Sequence, residues 1–266
     1  MDRIAHPLPT ASELTSAILI LSRTFQSLRL KHGLIDSSAI FLHATAFSLP
    51  CLLPSSITFL IQPSPTLSAL ELTGSLSDRK FVADFIVTRK DGVDYPKAII
   101  KRPKDDIRGD LLVEFSIVDH WMCHERREAY DFRIPGNDTV PLMVRGEQVH
   151  VMNPEWLLRQ KIQIWNERVL DKEKRTDEID IRTLVDVLGF RGSRKISFRR
   201  KKEVEDLNMV VMGMDGDDPM VLGSVIDCPQ VFGPWYDLTW VRAIGAVGSV
   251  LILMKVLDFY APDYDL

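Results

Sequence analysis

Cysteine is scarce in this chain. Only Cys51, Cys123 and Cys228 occur among 266 residues, too few and too far apart for a disulfide framework or a redox pair, so a reducing, cytoplasmic compartment is expected. Charge bias is also absent. Thirty-seven acidic and 33 basic side chains leave a formal net charge of -4, which excludes a global field drawing the protein to nucleic acid or an anionic surface. No apolar run reaches membrane-span length. Ala243–Met254 is 12 residues between Arg242 and Lys255, whereas a spanning helix needs about 20, so a buried segment is expected there. The early run AILIL leads into SRTFQSLRLKHG, without the small-residue cleavage pattern of a secretory signal. Glycine-rich phosphate loops, a dinucleotide loop and a serine nucleophile elbow are missing too.

A chain that is 45% hydrophobic can nevertheless build a core without staples. Leu14, Ile18, Leu21, Phe25 and Leu28 recur at helical spacing over Leu14–Leu30, with Gly33 just beyond. SSAIFLHATAF predicts a second helix and PTLSALELTGSL a short third one. ITFLI, KFVADFIVTR, DLLVEFSIVD and QVHVM read as strands, with a hairpin at Gly146 between VPLMVR and EQVHVM. The charged, turn-rich DGVDYPKAIIKRPKDDIRGD reads as a surface excursion. The order of elements is mixed α/β.

The most patterned stretch runs from Asn153 to Leu188. Asn153 is a cap candidate, Pro154 suits the first helical position, and Glu155 favours the positive end of the helix dipole. Leu158, Ile162, Trp165 and Val169 form an apolar stripe, with Lys161 and Arg168 sharing a neighbouring face. After LDKEKR, Thr176 or Asp177 can cap a second helix in which Ile181, Leu184, Val185 and Leu188 recur. Two helices are expected to form a hairpin against a small sheet.

Taken together, Asn153-Pro154-Glu155, Trp156-Leu157-Leu158, Lys161, Arg168, Lys172, Thr176-Asp177, Asp180-Ile181 and Leu184, after the strand QVHVM, resemble the C-terminal half of the minimal nucleotidyltransferase-like fold. The resemblance extends over Leu14–Gly189, with its specific part in Val149–Leu188. It implies that Lys161 lies near the cleft and that Asp177 and Asp180 fix the second helix. It also implies an opening helix at Ser37–Ala44 and a strand at Ser56–Ile61. That strand should carry two carboxylates one residue apart, but Ser56 and Thr58 stand in those places. Glu114, or Asp119, is the candidate for the third carboxylate. Two-metal chemistry needs hard anionic ligands, so a catalytically degenerate protein is expected, without a cofactor. The alternative is an active transferase with relocated carboxylates, which would need Mg2+.

The expected architecture is therefore a small mixed sheet flanked by helices in residues 1–189, a charged linker at 190–206, and a C-terminal α+β extension at 207–266 packed on the first domain. Its ligand-binding candidates are Lys161, Arg168 and Glu114; its helix-cap candidates are Asn153, Asp177 and Asp180. A protein partner or a small phosphorylated ligand is expected. Nucleic acid is not, because the seven basic residues between Arg191 and Lys202 run into acidic EVED. His120, Cys123 and His124 lack a fourth metal ligand nearby. Asp215, Asp217 and Asp218 lack the spacing and closing Glu of a calcium loop and read as a hairpin turn between NMVVMGM and MVLGSVI. Trp235, Tyr236 and Trp240 could wall a ligand pocket or anchor the C-terminal segment to the core.

Overall fold

A computed structural model of the chain describes residues 9–62, 69–77, 85–90, 93–101, 110–119, 139–192, 194–214 and 218–233. The His120–His124 cluster and the Trp235–Trp240 and Ala243–Met254 segments lie outside them. Two compact units divide the chain, Met1–Ser193 and Arg194–Leu266.

In the first unit, Thr10 and Glu13 form a capping box that starts α1 (Ala11–Ser27), satisfying orphan N–H groups at its first turn. Leu14, Ile18, Leu21 and Phe25 are fully buried along it. Its end is a Schellman turn: Leu30 N–H bonds to the Phe25 carbonyl and Arg29 N–H to that of Gln26, both at 2.9 Å. Then comes β1 (His32–Ile35), buried at every position, which leads without a loop into α2 (Asp36–Ala46). Gly33 belongs to this strand rather than to a helix stop. A side chain there would meet the Met152 sulfur at 2.9 Å.

β2 (Ile57–Ile61), α3 (Ala69–Ser77), β3 (Phe85–Lys90), β4 (Val93–Ile100) and β5 (Leu111–Asp119) follow, then β6 (Thr139–Val144), β7 (Glu147–Met152), α4 (Pro154–Glu167) and α5 (Asp171–Phe190). The seven strands form one sheet in the order β3-β4-β5-β2-β1-β7-β6. β1 pairs antiparallel with β2 and parallel with β7, and β2 pairs parallel with β5. The remaining neighbours are antiparallel. At the β6–β7 turn Arg145 and Gly146 both have positive φ, 51° and 82°, the two-residue turn whose twist suits a hairpin.

One expected surface excursion, residues 91–110, instead contains strand β4 over Val93–Ile100. Pro96, paired with Val87 of the edge strand β3, interrupts the alternating pattern by which such a strand is read, yet Ala98 and Ile100 are buried.

Below the sheet, His43 of α2 is 1% exposed and Nε2 donates to the Met152 carbonyl at 2.9 Å. Burial is the main reason its pKa falls to about 4; the Met152 bond opposes the fall and the Arg191 charge adds to it. The folded pKa lies below the unfolded value of about 6.5, so the unfolded chain binds more protons between the two. The His43 contribution is complete above pH 6.5 and is lost as pH drops towards 4, by up to about 3 kcal/mol. Urea unfolding at pH 7 and 4.5 checks this: His43→Gln should flatten the difference.

The second unit contains β8 (Ile196–Ser197), α6 (Lys201–Gly213), α7 (Asp218–Val225), β9 (Ile226–Asp227) and α8 (Pro229–Phe232). β8 and β9 pair in parallel. Residues 190–206 thus hold the end of α5, β8 and the start of α6, and Ile196 and Phe198 are core residues at 3% and 0% exposure. Arg199 bonds to Asp227 at 2.6 Å and Lys202 to Asp206 at 2.7 Å, so part of the basic run is neutralised locally. All but the last residue of each of the runs NMVVMGM and MVLGSVI is helical, in α6 and α7, rather than in hairpin strands. Leu207 and Val210 are buried three apart, and at the start of α6 the Arg200 N–H donates to the Glu203 carboxylate. Residues 215–217 between the helices are outside the described set. Among the described residues no helix is long and apolar enough to cross a membrane.

Candidate functional site

The Asn153 side chain accepts from Glu155 N–H at 3.1 Å, with Pro154 in the first turn of α4. This cap fixes the entry of a helix that buries Trp156, Leu157, Leu158, Ile162 and Trp165. Arg168 is the C-cap in extended conformation. Val169, expected to extend the stripe, is 90% exposed in the turn because the helix has already ended. α5 starts at Asp171, earlier than expected, since the charged run DKEKR consists of residues compatible with a helix start. Asp177 and Asp180 consequently lie inside α5 and cap nothing. Three residues apart, they share a face turned towards α4.

Lys161 sits between them, 1% exposed. Its Nζ lies 2.9 Å from Asp177 Oδ1, 2.8 Å from Asp180 Oδ2 and 2.5 Å from Asp36 Oδ1, and donates to Ser37 Oγ at 3.3 Å. Ser37 in turn donates to Asp180 Oδ2 at 2.6 Å. Burial alone pulls the ammonium pKa down; the three carboxylates outweigh it, and the net shift is upward. The group is a permanent cation and no general base. Arg168 Nε bonds to Asp177 Oδ2 at 3.0 Å, and its side chain keeps 37% exposure. Each oxygen of Asp177 therefore holds a different cation, joining α4 to α5.

Asp36 joins this cluster through an unusual backbone. Its φ is 59°, a left-handed conformation that Asp tolerates better than most side chains. Because β1 passes straight into α2 here, that turn aims the carboxylate at Lys161. Ser38 secures the same junction, donating to the Ile35 carbonyl at 2.8 Å and accepting from Thr58 N–H at 3.3 Å. Neither Asp36 nor Ser37 was a site candidate from the sequence. The available signal was an Asp-Ser-Ser helix start directly after an apolar run.

A cavity of about 460 Å³ opens over this cluster, walled by Leu52, Leu53 and Ser56 on the α2–β2 connection and by Arg168 and Glu173 opposite. Its lining has four carboxylates, Asp36, Glu173, Asp177 and Asp180, against the two cations Lys161 and Arg168, a net charge of -2. Cys51 lies in the same connection, and burial, then the Asp180 charge, raise its pKa, which keeps it a thiol rather than a nucleophilic thiolate.

Beside the cavity, Thr58 pairs with Ser116 of β5, and the Ser116 hydroxyl donates to Thr58 Oγ1 at 3.1 Å. Glu114 lies two residues away on the exposed face of β5, opposite Lys97 of β4, and does not line the cavity. Lys161 and Arg168 are thus brought together, and Glu114 is not brought to them. The position facing Thr58 belongs to Ser116, another uncharged side chain. Among the described residues no group of three or more His, Cys, Asp or Glu side chains is placed to hold a metal ion.

No protein-family model and no curated protein sequence matches the chain. Solved structures do. An antigenic nucleotidyltransferase-like protein from Paracoccidioides brasiliensis is similar at a TM-score of 0.67 and 23% identity, covering 83% of this chain and 97% of that one. The antibiotic-resistance factor ANT(2″)-Ia is more distant, with a TM-score of 0.39 and 11% identity over 69% of this chain and 94% of that one. The mixed sheet, its flanking helices and the first of these likenesses establish that the fold is nucleotidyltransferase-like.

Proposed function

We propose that the chain is a catalytically degenerate nucleotidyltransferase-fold protein whose cleft binds a ligand or partner without metal-dependent transfer. The observation that carries this reading is the engagement of Asp36, Asp177 and Asp180 by one buried ammonium. Magnesium requires hard, anionic oxygen ligands. Ser56, Thr58 and Ser116 offer neutral hydroxyls only, and the three aspartates already surround a cation, so the residues present do not fit a two-metal site. The cavity volume suits a small molecule. Arg168 is the partly exposed cation that can turn to a phosphorylated ligand or to an acidic side chain of a partner, while Lys161 holds the floor.

The alternative, an active transferase with relocated carboxylates, is favoured by one feature: three aspartates converge on a single point. A labelled-nucleotide assay with ATP, CTP, GTP and UTP, in magnesium or manganese and against protein, RNA and small hydroxylated acceptors, separates the two. The expected result is no transfer. Metal-dependent turnover abolished by Asp36→Asn or Glu114→Gln would establish the alternative.

A further inference from the structure

A second hollow in the first unit has the opposite electrostatic character. It holds about 450 Å³ where the turn after α1 meets β1, β6 and β7, and is lined by Arg29, Lys31, His32, His150 and Thr139 among others. No carboxylate is among the described lining residues. Three arginines elsewhere on this unit are engaged: Arg23 by Glu147, Arg145 by Ser12 and Ser16, Arg168 by Asp177. Among the described residues neither Arg29 nor Lys31 has an ion-pair partner.

The backbone supplies an independent observation. Arg29 has a φ of 54° at the position after the helix cap, where glycine is the ordinary occupant because a side chain is strained there. Backbone strain of this kind collects at functional sites. The carbonyl end of α1 would repel an anion. Here Leu28, Arg29 and Leu30 N–H groups cover the carbonyls of Thr24, Gln26 and Phe25, which weakens that objection.

His32 forms the inner wall. Nδ1–H donates to the Leu30 carbonyl at 2.9 Å, leaving Nε2 to accept from Ser22 Oγ at 3.3 Å. Both nitrogens are thereby engaged. His150 lies across the hollow with its ring centroid 5.9 Å from that of His32. Arg29, Lys31 and His150 remain as donors around a concave volume.

We propose that this hollow is an anion-binding site for a small phosphate-bearing ligand, gripped by Arg29 and Lys31 with His150 as a third donor. It is separate from the Lys161 cleft, whose lining is net acidic, and does not depend on how that cleft functions. A phosphate tetrahedron presents several acceptor oxygens, which suits a guanidinium fork and a nearby ammonium.

The test is a titration of the full chain with inorganic phosphate, followed by NMR at the His150 ring and the Arg29–His32 amides, with sodium chloride at matched ionic strength as reference. Saturable shifts with phosphate and none with chloride are expected. Arg29→Gly removes the guanidinium and relieves the strained backbone, so it should raise Tm while weakening phosphate binding about tenfold or more. Lys31→Gln should weaken binding with Tm little changed. Arg145→Gly, a matching change at a left-handed arginine away from the hollow, should bind phosphate as the wild type does. Equal shifts with chloride, wild-type affinity in Arg29→Gly, or a loss shared by Arg145→Gly would each overturn the assignment.

Discussion

Replacing Lys161 by methionine is expected to cost about 3–5 kcal/mol of folding stability, because removal of one partner strands buried opposite charge. Asp177 and Asp180 are 1% and 3% exposed, too enclosed for water to replace the lost ammonium. Asp36 would join them as a third like charge. The size of the effect does not mean that the ion cluster is a net source of stability, since desolvating its members offsets much of their attraction. A double-mutant cycle separates the two. Asp180→Asn in the Lys161→Met background should recover part of the loss, whereas additive losses would mean that the two side chains do not interact. Acid supplies a second check. Protonation relieves uncompensated carboxylates, so Lys161→Met should lose less stability between pH 7 and 5 than the wild type, in which His43 acts in the other direction.

Phe59→Ala should be comparably damaging, at about 3–5 kcal/mol in urea unfolding. Phe59 is fully buried on β2. Its ring meets Phe25 of α1 edge-on at a centroid distance of 5.0 Å and lies 5.8 Å from the His32 ring. Phe25 also meets His32, at 5.3 Å. One side chain thus ties the first helix to two central strands, and alanine leaves a cavity that rigid strands cannot close. Phe59→Leu keeps most of the apolar volume and should cost roughly half as much. Equal losses for the two variants would show that the edge-to-face geometry, rather than cavity volume, dominates.

The elements that could be read from the sequence were those whose stabilisation is local. α1 and α4 announce themselves through apolar spacing and caps, and the β6–β7 hairpin through Gly146. β1 is only four residues, His32–Ile35, and contains a glycine, so its strand character comes from neighbours on both sides. β4 was hidden by Pro96, and α6 by a run of Met and Val that favours strands in isolation. The site divides in the same way. Lys161 could be picked out by its place in the Asn153–Leu188 pattern, but its burial could not, because Asp36 and Ser37 lie more than a hundred positions earlier in the chain. Pairing over such separations is set by sheet topology. Glu114 illustrates the converse: its strand was correctly identified, yet a register that puts Ser116 opposite Thr58 carries Glu114 away from the cavity.

Manganese binding at the cleft tests the central claim, that one lysine engages Asp36, Asp177 and Asp180 and leaves them unable to take up a divalent ion. In NMR spectra of the full chain, paramagnetic Mn2+ broadens amides close to any site it occupies. The lysine-centred cluster predicts that the amides of Asp36, Asp177 and Asp180 keep their line widths at millimolar Mn2+. Selective, saturable broadening at these three residues, reversed by excess Mg2+, would contradict it.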